Sequence, residues 1–245
     1  MSYNLNNKKI LITGASGGIG SAICDKFVEK KSILICTASS NEKLLDLKNK
    51  YGSDHHYYLL DLSNIALISE TVNEIAKEHK IDVLINNAGT TKDNLLLRMS
   101  DEQWTDVINL NLNSNFYIIK KILPSMVKNK SGIIIGITSV VALTGNAGQS
   151  NYTASKSAMI SMYKSIALEV AQRNIRVNLI APGFIQSPMT DKLSENQVNA
   201  ILSKIPQKKL GTAEDIANMA VFLSSEECNY ITGQNFHVNG GMLMV

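Results

Sequence analysis

The sequence predicts an α/β protein with a doubly wound, seven-stranded parallel β-sheet and helices on both faces. Two observations indicate this fold. Short runs rich in Ile, Val and Leu alternate with longer helical patterns along the 245 residues. Most of the short runs are apolar throughout rather than alternating, which is typical of strands covered on both faces.

The order of the elements supports a single domain. The predicted strands are 9–13, 33–37, 57–60, 83–86, 133–138, 177–180 and 235–238. The predicted helices are 19–29, 42–50, 65–78, 101–128, 155–172 and 213–224. Regular β-α-β alternation implies right-handed crossovers and parallel strands. Neither a low-complexity linker nor a repeat divides the chain, so we expect one dinucleotide-binding catalytic domain over residues 1–245.

Composition excludes several classes of function. Hydrophobic residues make up 44% and charged residues 18%, with a net charge of +3. Because the lysines are scattered among acids, we expect no nucleic-acid partner. The apolar runs are too short to span a bilayer, and the polar amino terminus has no signal-peptide pattern, so we expect no membrane association.

The cysteines and histidines predict no special chemistry. Three distant cysteines, without a CxxC pair, suggest reduced, buried thiols and a cytoplasmic protein. They are Cys24, Cys36 and Cys228. The four histidines show no metal-ligand spacing, so we expect no metal site. They are His55, His56, His79 and His237.

The loop after the first strand predicts a phosphate cradle. The sequence GASGGIG follows a strand and opens a helix. Residues without a Cβ let the backbone approach a pyrophosphate, and the helix amino terminus attracts its charge. This loop makes the predicted fold Rossmann-type. The candidate cofactor-binding residues are Gly14, Ala15, Ser16, Gly17, Gly18, Ile19 and Gly20.

The end of the second strand favours NADP(H) over NAD(H). An acid there would hold a ribose 2′-hydroxyl and repel a 2′-phosphate. The segment TASSN has no acid before Glu42, and the hydroxyls of Ser39 and Ser40 could bind a 2′-phosphate. No arginine is adjacent, so an ordinary polar turn is the alternative.

Two further strand ends carry polar residues towards the same crevice. Asp61, followed by Leu62, could accept a hydrogen bond from an adenine amino group, or could serve a turn. Asn87 and Gly89 lie in the segment NNAG, whose amides could line a cofactor or join neighbouring loops. We therefore expect all four residues beside the dinucleotide.

The fifth strand and the next helix supply a candidate catalytic group. Tyr152 and Lys156 are four residues apart at the start of a helical pattern, so they share one helix face. Ser139 ends the fifth strand, at the rim from which that helix departs. A surface pair and a structural serine are the alternatives. Carbonyl reduction requires a proton donor at the oxygen, a role that Tyr152 could fill.

These motifs resemble the short-chain dehydrogenase/reductase family. The resemblance rests on TGASGGIG, NNAG, NLN around Asn111, Ser139, the Tyr152–Lys156 pair and the PG at 182–183, in the family's order. The segments NNAGTTKDNLLLRM, GNAGQSNYTASK, RVNLIAPGFIQSPMT and HVNGGMLMV look like bacterial 3-oxoacyl-[acyl-carrier-protein] reductases. That resemblance implies NADPH-dependent reduction of a β-ketoacyl thioester by a homotetramer. Gly17 departs from the pattern, because an arginine that helps to hold the 2′-phosphate often stands there.

The resemblance also implies residue roles. Tyr152 would be the general acid, and Lys156 would lower its pKa together with the oxidised nicotinamide and bond the ribose. Ser139 would orient the substrate carbonyl, and Asn111 would help to bind a water connected to the lysine. The backbone of Ile185 would bond the carboxamide.

Two basic residues and one segment would meet the substrate. By resemblance, Lys130 and Arg173 would contact the acyl carrier protein near the site entrance, with ordinary solvated charge as the alternative. The polar segment 187–210 would form a mobile substrate lid. Two other functions stay open: reduction of acetoacetyl-CoA or another small carbonyl compound, and non-catalytic nucleotide sensing. A complete set of Ser139, Tyr152 and Lys156 argues against a sensor.

Overall fold

The computed structural model describes residues 3–187, 190 and 194–245. It contains a seven-stranded, all-parallel sheet, as the sequence predicts. The strands are β1 (Lys9–Ile12), β2 (Ile33–Ala38), β3 (His56–Leu59), β4 (Val83–Asn86), β5 (Gly132–Ile137), β6 (Ile175–Pro182) and β7 (Asn235–Val238).

The strand order creates one switch point. The order is β3-β2-β1-β4-β5-β6-β7, so the chain runs outward from β1 to β3 and then returns to β4 on the other side. In the register, Ile12 of β1 pairs with Cys36 on one side and Ile85 on the other. A crevice therefore opens beyond the carboxyl ends of β1 and β4, where doubly wound sheets bind their ligands.

Helices cover both faces of the sheet. They are α1 (Gly18–Glu29), α2 (Asn41–Tyr51), α3 (Ile65–Glu78), α4 (Asp101–Ile108), α5 (Ser114–Asn129), α6 (Val141–Thr144), α7 (Ser150–Val170), α8 (Glu195–Ser203) and α9 (Ala213–Ser224). One core joins α3, α5 and α7 to the sheet, and a second core joins α1, α2 and α9 to its other face. In the described part of the chain, no helix has the length and apolarity needed to cross a membrane.

The predicted helical segment 101–128 is helical throughout, but it is not one regular α-helix. A π-helical turn, Asn109–Asn113, separates α4 from α5. Side chains there bond within the turn: Ser114 Oγ donates to the carbonyl of Leu110 at 2.5 Å, and Asn115 Nδ2 donates to the carbonyl of Asn111 at 2.8 Å. Such side chains compete with the regular backbone ladder, which explains the interruption.

Helix α7 begins at Ser150, five residues before the predicted start. The buried Asn151 explains the earlier start. Its Nδ2 donates to the carbonyls of Lys92 and Gln103 at 2.9 and 3.0 Å, which ties the first turn to neighbouring segments. Tyr152 therefore lies within the first turn of α7, where the regular helical backbone fixes the direction of its side chain.

Candidate active site

Two glycines of the β1–α1 loop are required by the protein's own packing. Gly14 has φ +64°, and a Cβ there would lie 2.9 Å from the Cα of Ala88. A Cβ on Gly20 would lie 2.1 Å from the carbonyl oxygen of Gly14. Both distances are too short for carbon, so these positions hold the loop tightly against the start of α1 and the loop after β4.

Gly17 and Gly18, which lie between these two positions, have free space where a side chain would stand. A Cβ on Gly18 would meet none of the described atoms within 4 Å, and one on Gly17 would meet the Gly14 carbonyl at an ordinary 3.4 Å. Among the described residues, no side chain caps the amino terminus of α1. The free N–H groups of that first turn, next to an unfilled cradle, fit a phosphate group.

A cavity of about 650 Å³ lies over this cradle. It brings together nearly all the predicted cofactor residues. Its lining includes Gly14, Ser16, Gly17, Gly18, Ile19, Gly20, Ser39, Asp61, Leu62, Asn87, Gly89, Tyr152 and Ile185. Ala15 is fully buried beneath the loop, where its N–H donates to the carbonyl of Thr37 at 3.2 Å, so it shapes the cradle from behind.

Asn87 both lines the cavity and joins two loops. Its Nδ2 donates to the carbonyls of Thr13 and Gly14, each at 3.0 Å. The side chain therefore fixes the phosphate loop to the end of β4. Both roles considered for this amide from the sequence are compatible with its position.

Asp61, Ser39 and Lys43 also line the cavity. Asp61 Oδ1 accepts bonds from the N–H and hydroxyl of Ser63 at 2.9 and 2.8 Å, so the turn role is confirmed. Ser40 caps α2 through its hydroxyl, which accepts from the Lys43 N–H at 3.4 Å. Lys43 Nζ donates to Ser39 Oγ at 3.3 Å.

A second cavity of about 520 Å³ adjoins the first. Ser139, Tyr152 and Lys156 line it together, as the sequence predicts. The residues shared by both cavities are Ile19, Asn87, Gly89, Tyr152 and Ile185. The catalytic candidates therefore lie beside the dinucleotide cavity, which Tyr152 lines as well.

Lys156 is almost completely buried, with 3% of its surface exposed. Its Nζ donates to the carbonyl of Ile137 at 2.7 Å and lies 5.7 Å from the centre of the Tyr152 ring. A Cβ on Gly89 would lie 3.3 Å from this Nζ, so the glycine leaves room for the ammonium. Burial lowers the pKa of Lys156 to about 8.

The lowered pKa expected for Tyr152 depends on an oxidised nicotinamide as well as on Lys156 and stays a prediction, and the protein's own groups give a raised pKa. Burial raises it above its ordinary value, and a hydrogen bond with Ser139 acts in the opposite direction. The ammonium of Lys156 lies beside the ring face and bonds a carbonyl, so lowering by the lysine does not dominate here. The phenol is therefore protonated at neutral pH, as an ordinary tyrosine is, and this is the form that a proton donor must have at the start of the reaction.

Asn111 is fully buried at the π-helical turn and acts as a brace. Its Nδ2 donates to the carbonyl of Thr90 at 2.9 Å and to Ser155 Oγ at 3.1 Å. Its Oδ1 accepts from the N–H of Thr90 at 2.8 Å. The side chain thus connects the loop after β4 with α7, and the π-helical turn determines its direction.

Three residues of the site escaped sequence reasoning. Asn151 and Ser155 hold the first turn of α7, since Ser155 Oγ also donates to the carbonyl of Tyr152 at 2.7 Å. Lys43 lines the dinucleotide cavity. For Lys43, the available signal was a basic residue one helical turn after Ser39.

Lys130 and Arg173, expected near the site entrance, lie away from the site of their own chain, and their contact with a carrier protein stays a prediction. Lys130 ends α5 immediately before β5, and Arg173 lies immediately before β6. In a parallel sheet these positions fall at the amino ends of the strands, opposite the edge that carries the site. Both side chains are exposed.

The expected lid falls partly outside the described residues, at 188, 189 and 191–193. Within the described part, α8 carries a capping box between Ser194 and Gln197, and its residues are exposed or half-buried. Ile205, which follows α8, is buried. Ile185 precedes the segment and pairs with Gly211 in a parallel bridge, so both ends of the segment are held together.

Comparison with known proteins identifies the family. A short-chain dehydrogenase/reductase family model described as enoyl-(acyl carrier protein) reductase matches residues 14–243. The chain belongs to the short-chain dehydrogenase/reductase family. This finding confirms the resemblance predicted from the motifs.

Curated members of the family resemble this chain over its whole length. It is 48% identical to the 3-oxoacyl-[acyl-carrier-protein] reductase FabG of Rickettsia felis, over 99% of both chains. It is 44% identical to the enzymes of that name from Buchnera aphidicola subsp. Acyrthosiphon pisum and Salmonella typhimurium, over 99% of this chain and 100% of each relative. As a short-chain dehydrogenase/reductase, the chain is an oxidoreductase that uses a nicotinamide cofactor.

Proposed function

We propose that this protein reduces a 3-oxoacyl-[acyl-carrier-protein] to the 3-hydroxyacyl form in fatty-acid synthesis, with NADPH. The observation that carries the proposal is the convergence of Ser139, Tyr152 and Lys156 on a cavity continuous with the dinucleotide cavity. Full-length identity of 44–48% to reductases of that name supports the choice of substrate.

The residues present fit NADP(H). The open cradle at Gly17 and Gly18 would receive the pyrophosphate, and Asp61 with Leu62 would border the adenine. Lys156 and the backbone of Ile185 would hold the nicotinamide end. When bound, the reduced nicotinamide supplies a hydride to carbon 3 of the acyl chain.

Tyr152 supplies the proton that completes the reduction. Its phenol is protonated at neutral pH, since the ordinary pKa of tyrosine is about 10 and burial does not lower it, so it can donate to the carbonyl oxygen as negative charge develops there. Ser139 donates a second hydrogen bond and orients the carbonyl. The tyrosinate left behind is stabilised by the Lys156 ammonium, which is largely charged at pH 7 because its pKa is about 8.

The same proposal includes partners and location. The substrate arrives on acyl carrier protein in the cytoplasm, and the segment 187–210 covers the acyl chain. Trp104, Phe116 and Leu168 are large apolar side chains exposed on α4, α5 and α7. Copies of the chain in a homotetramer would cover such surface. Light scattering at micromolar concentration tests this part, and a monomer would contradict it.

A second candidate is reduction of a 2-enoyl thioester. It is favoured by the description of the matching family model, which names an enoyl reductase. The two reactions differ in where the proton goes, to the carbonyl oxygen or to the carbon next to the thioester. Ser139 and Tyr152 line one cavity as paired hydroxyl groups, an arrangement that suits an oxygen.

One assay separates these candidates. NADPH or NADH oxidation is followed at 340 nm with acetoacetyl-carrier protein, acetoacetyl-CoA and 2-butenoyl-carrier protein in parallel. We expect turnover with the acetoacetyl carrier-protein substrate and NADPH, and little with the butenoyl substrate. Turnover of the butenoyl substrate alone would select the enoyl reductase, and a much higher kcat/KM for acetoacetyl-CoA would select a small-molecule reductase. Absence of turnover with all three would refute the proposal.

A further inference from the structure

We propose that Lys43, together with Ser39, binds the 2′-phosphate of NADP(H) and sets the preference for this cofactor over NAD(H). This inference rests on the proposed function, because it names the cation that recognises the proposed cofactor. The glycine loop, GASGGIG, carries no charged side chain, so a cation for the 2′-phosphate must come from another residue that lines the cavity. Lys43 is in the first turn of α2, directly after β2, and lines the dinucleotide cavity.

The charges around the cavity single out Lys43. Among the described residues that line it, Lys43 and Asp61 are the charged ones. Neighbouring lysines are engaged elsewhere: Lys26 pairs with Glu214 at 2.6 Å, and Lys50 pairs with Asp25 at 2.8 Å. Within the described ranges, no carboxylate lies within 4 Å of the Lys43 ammonium.

The charge of Lys43 destabilises α2 when no anion is bound beside it. A positive charge in the first turn of α2 faces the positive end of the helix dipole. Glu42 is next in sequence, and adjacent helical residues point in different directions, so it does not neutralise the lysine. An anion bound beside Lys43 would remove this unfavourable interaction.

Ser39 and Ser40, which follow β2, make different hydrogen bonds. Ser40 Oγ is used as the cap of α2. Ser39 Oγ accepts a hydrogen bond from Lys43 Nζ, which leaves the hydroxyl proton of Ser39 able to donate to a second acceptor. A phosphate there would receive one bond from the ammonium and one from the serine. No carboxylate follows β2 before Glu42 to repel it.

Gly17 leaves space in the cavity that Lys43 also lines. Gly17 has an ordinary φ of −76°, and a Cβ there would meet only the carbonyl oxygen of Gly14, at 3.4 Å, among described atoms. The absence of a side chain at this position leaves room within the cavity. The 2′-phosphate would then be bound from the α2 side rather than from the glycine loop.

Binding of two nucleotides by calorimetry tests the assignment. Adenosine 2′,5′-bisphosphate and adenosine 5′-monophosphate differ by the 2′-phosphate alone. Lys43→Met keeps the apolar stem and removes the charge, and Lys48→Met removes an exposed charge from the same helix away from the cavity. We expect Lys43→Met to weaken bisphosphate binding about tenfold, as for loss of one exposed charge-assisted bond, with monophosphate binding unchanged. Lys48→Met should change neither.

Two further variants make the result decisive. Lys43→Arg should keep the bisphosphate affinity, and Lys43→Glu should lower it further while sparing the monophosphate. Equal bisphosphate affinity in Lys43→Met and Lys48→Met would overturn the inference. That outcome leaves the proposed function standing if the wild-type protein still prefers NADPH and reduces acetoacetyl-carrier protein. A wild-type protein that does not reduce acetoacetyl-carrier protein would instead refute the proposed function.

Discussion

Lys156 should oppose folding while it serves the reaction. Its ammonium is buried, and burial lowers its pKa from the ordinary 10.5 to about 8. At neutral pH the folded protein therefore holds a charge that the unfolded chain would hydrate freely. Lys156→Met removes that charge and keeps most of the side-chain volume.

The magnitude follows from the pKa. A fall from 10.5 to about 8 corresponds to a destabilisation of about 3 kcal/mol at pH 7. The variant also loses the hydrogen bond to the carbonyl of Ile137, which contributes about 1 kcal/mol. We expect Lys156→Met to raise the free energy of unfolding by about 2 kcal/mol at pH 7 while reducing turnover at least ~10²-fold.

The lowered pKa of Lys156 also makes the free energy of unfolding depend on pH. Above pH 8 the folded protein releases this proton while the unfolded chain keeps it up to about 10.5. Wild-type stability should therefore gain about 1.4 kcal/mol per pH unit over this range from Lys156, and the advantage of the variant should shrink.

Urea unfolding at pH 7 and pH 9, at one protein concentration, measures both effects. Lys164→Met, an exposed position on the same helix, is the matched control and should leave stability and activity unchanged. A Lys156→Met protein that is less stable than wild type at pH 7, or whose advantage does not change with pH, would refute the reasoning.

Two other predictions concern the cradle and the brace. Gly20→Ala should destabilise the fold or prevent folding, because its Cβ would lie 2.1 Å from the Gly14 carbonyl oxygen. Gly18→Ala should unfold like wild type, because its Cβ meets none of the described atoms within 4 Å, but this Cβ would occupy the phosphate cradle and weaken NADPH binding at least about tenfold. Thermal unfolding and nucleotide titration distinguish them, and equal stability of the two variants would contradict the packing argument. Asn111→Ala should lower the free energy of unfolding by about 2–4 kcal/mol, since three bonds to Thr90 and Ser155 are lost. Wild-type stability in urea would show that the brace is not needed.

Much of the fold could be predicted because strand burial is visible in the sequence. Runs such as that of β1 are apolar at every buried position, and their alternation with helices implies parallel strands. The site followed from the same topology, because Gly14, Asn87 and Ser139 all come after carboxyl ends that meet at one edge.

The remaining features depend on packing in three dimensions. The π-helical turn at Asn109–Asn113 keeps apolar residues at helical spacing on either side, so periodicity does not reveal it. The pKa of Tyr152 depends on how deeply α7 is buried against the sheet. Lys130 and Arg173 were assigned from resemblance, without the strand direction that places them at the opposite edge.

Transfer of a proton from Tyr152 to the substrate oxygen is the central claim, and Tyr152→Phe tests it most directly. Single-turnover oxidation of bound NADPH by acetoacetyl-carrier protein is compared for wild type and variant, with NADPH affinity measured separately. The account predicts a rate reduced at least ~10²-fold with NADPH affinity unchanged. A variant that oxidises NADPH at nearly the wild-type rate would show that the proton comes from another group.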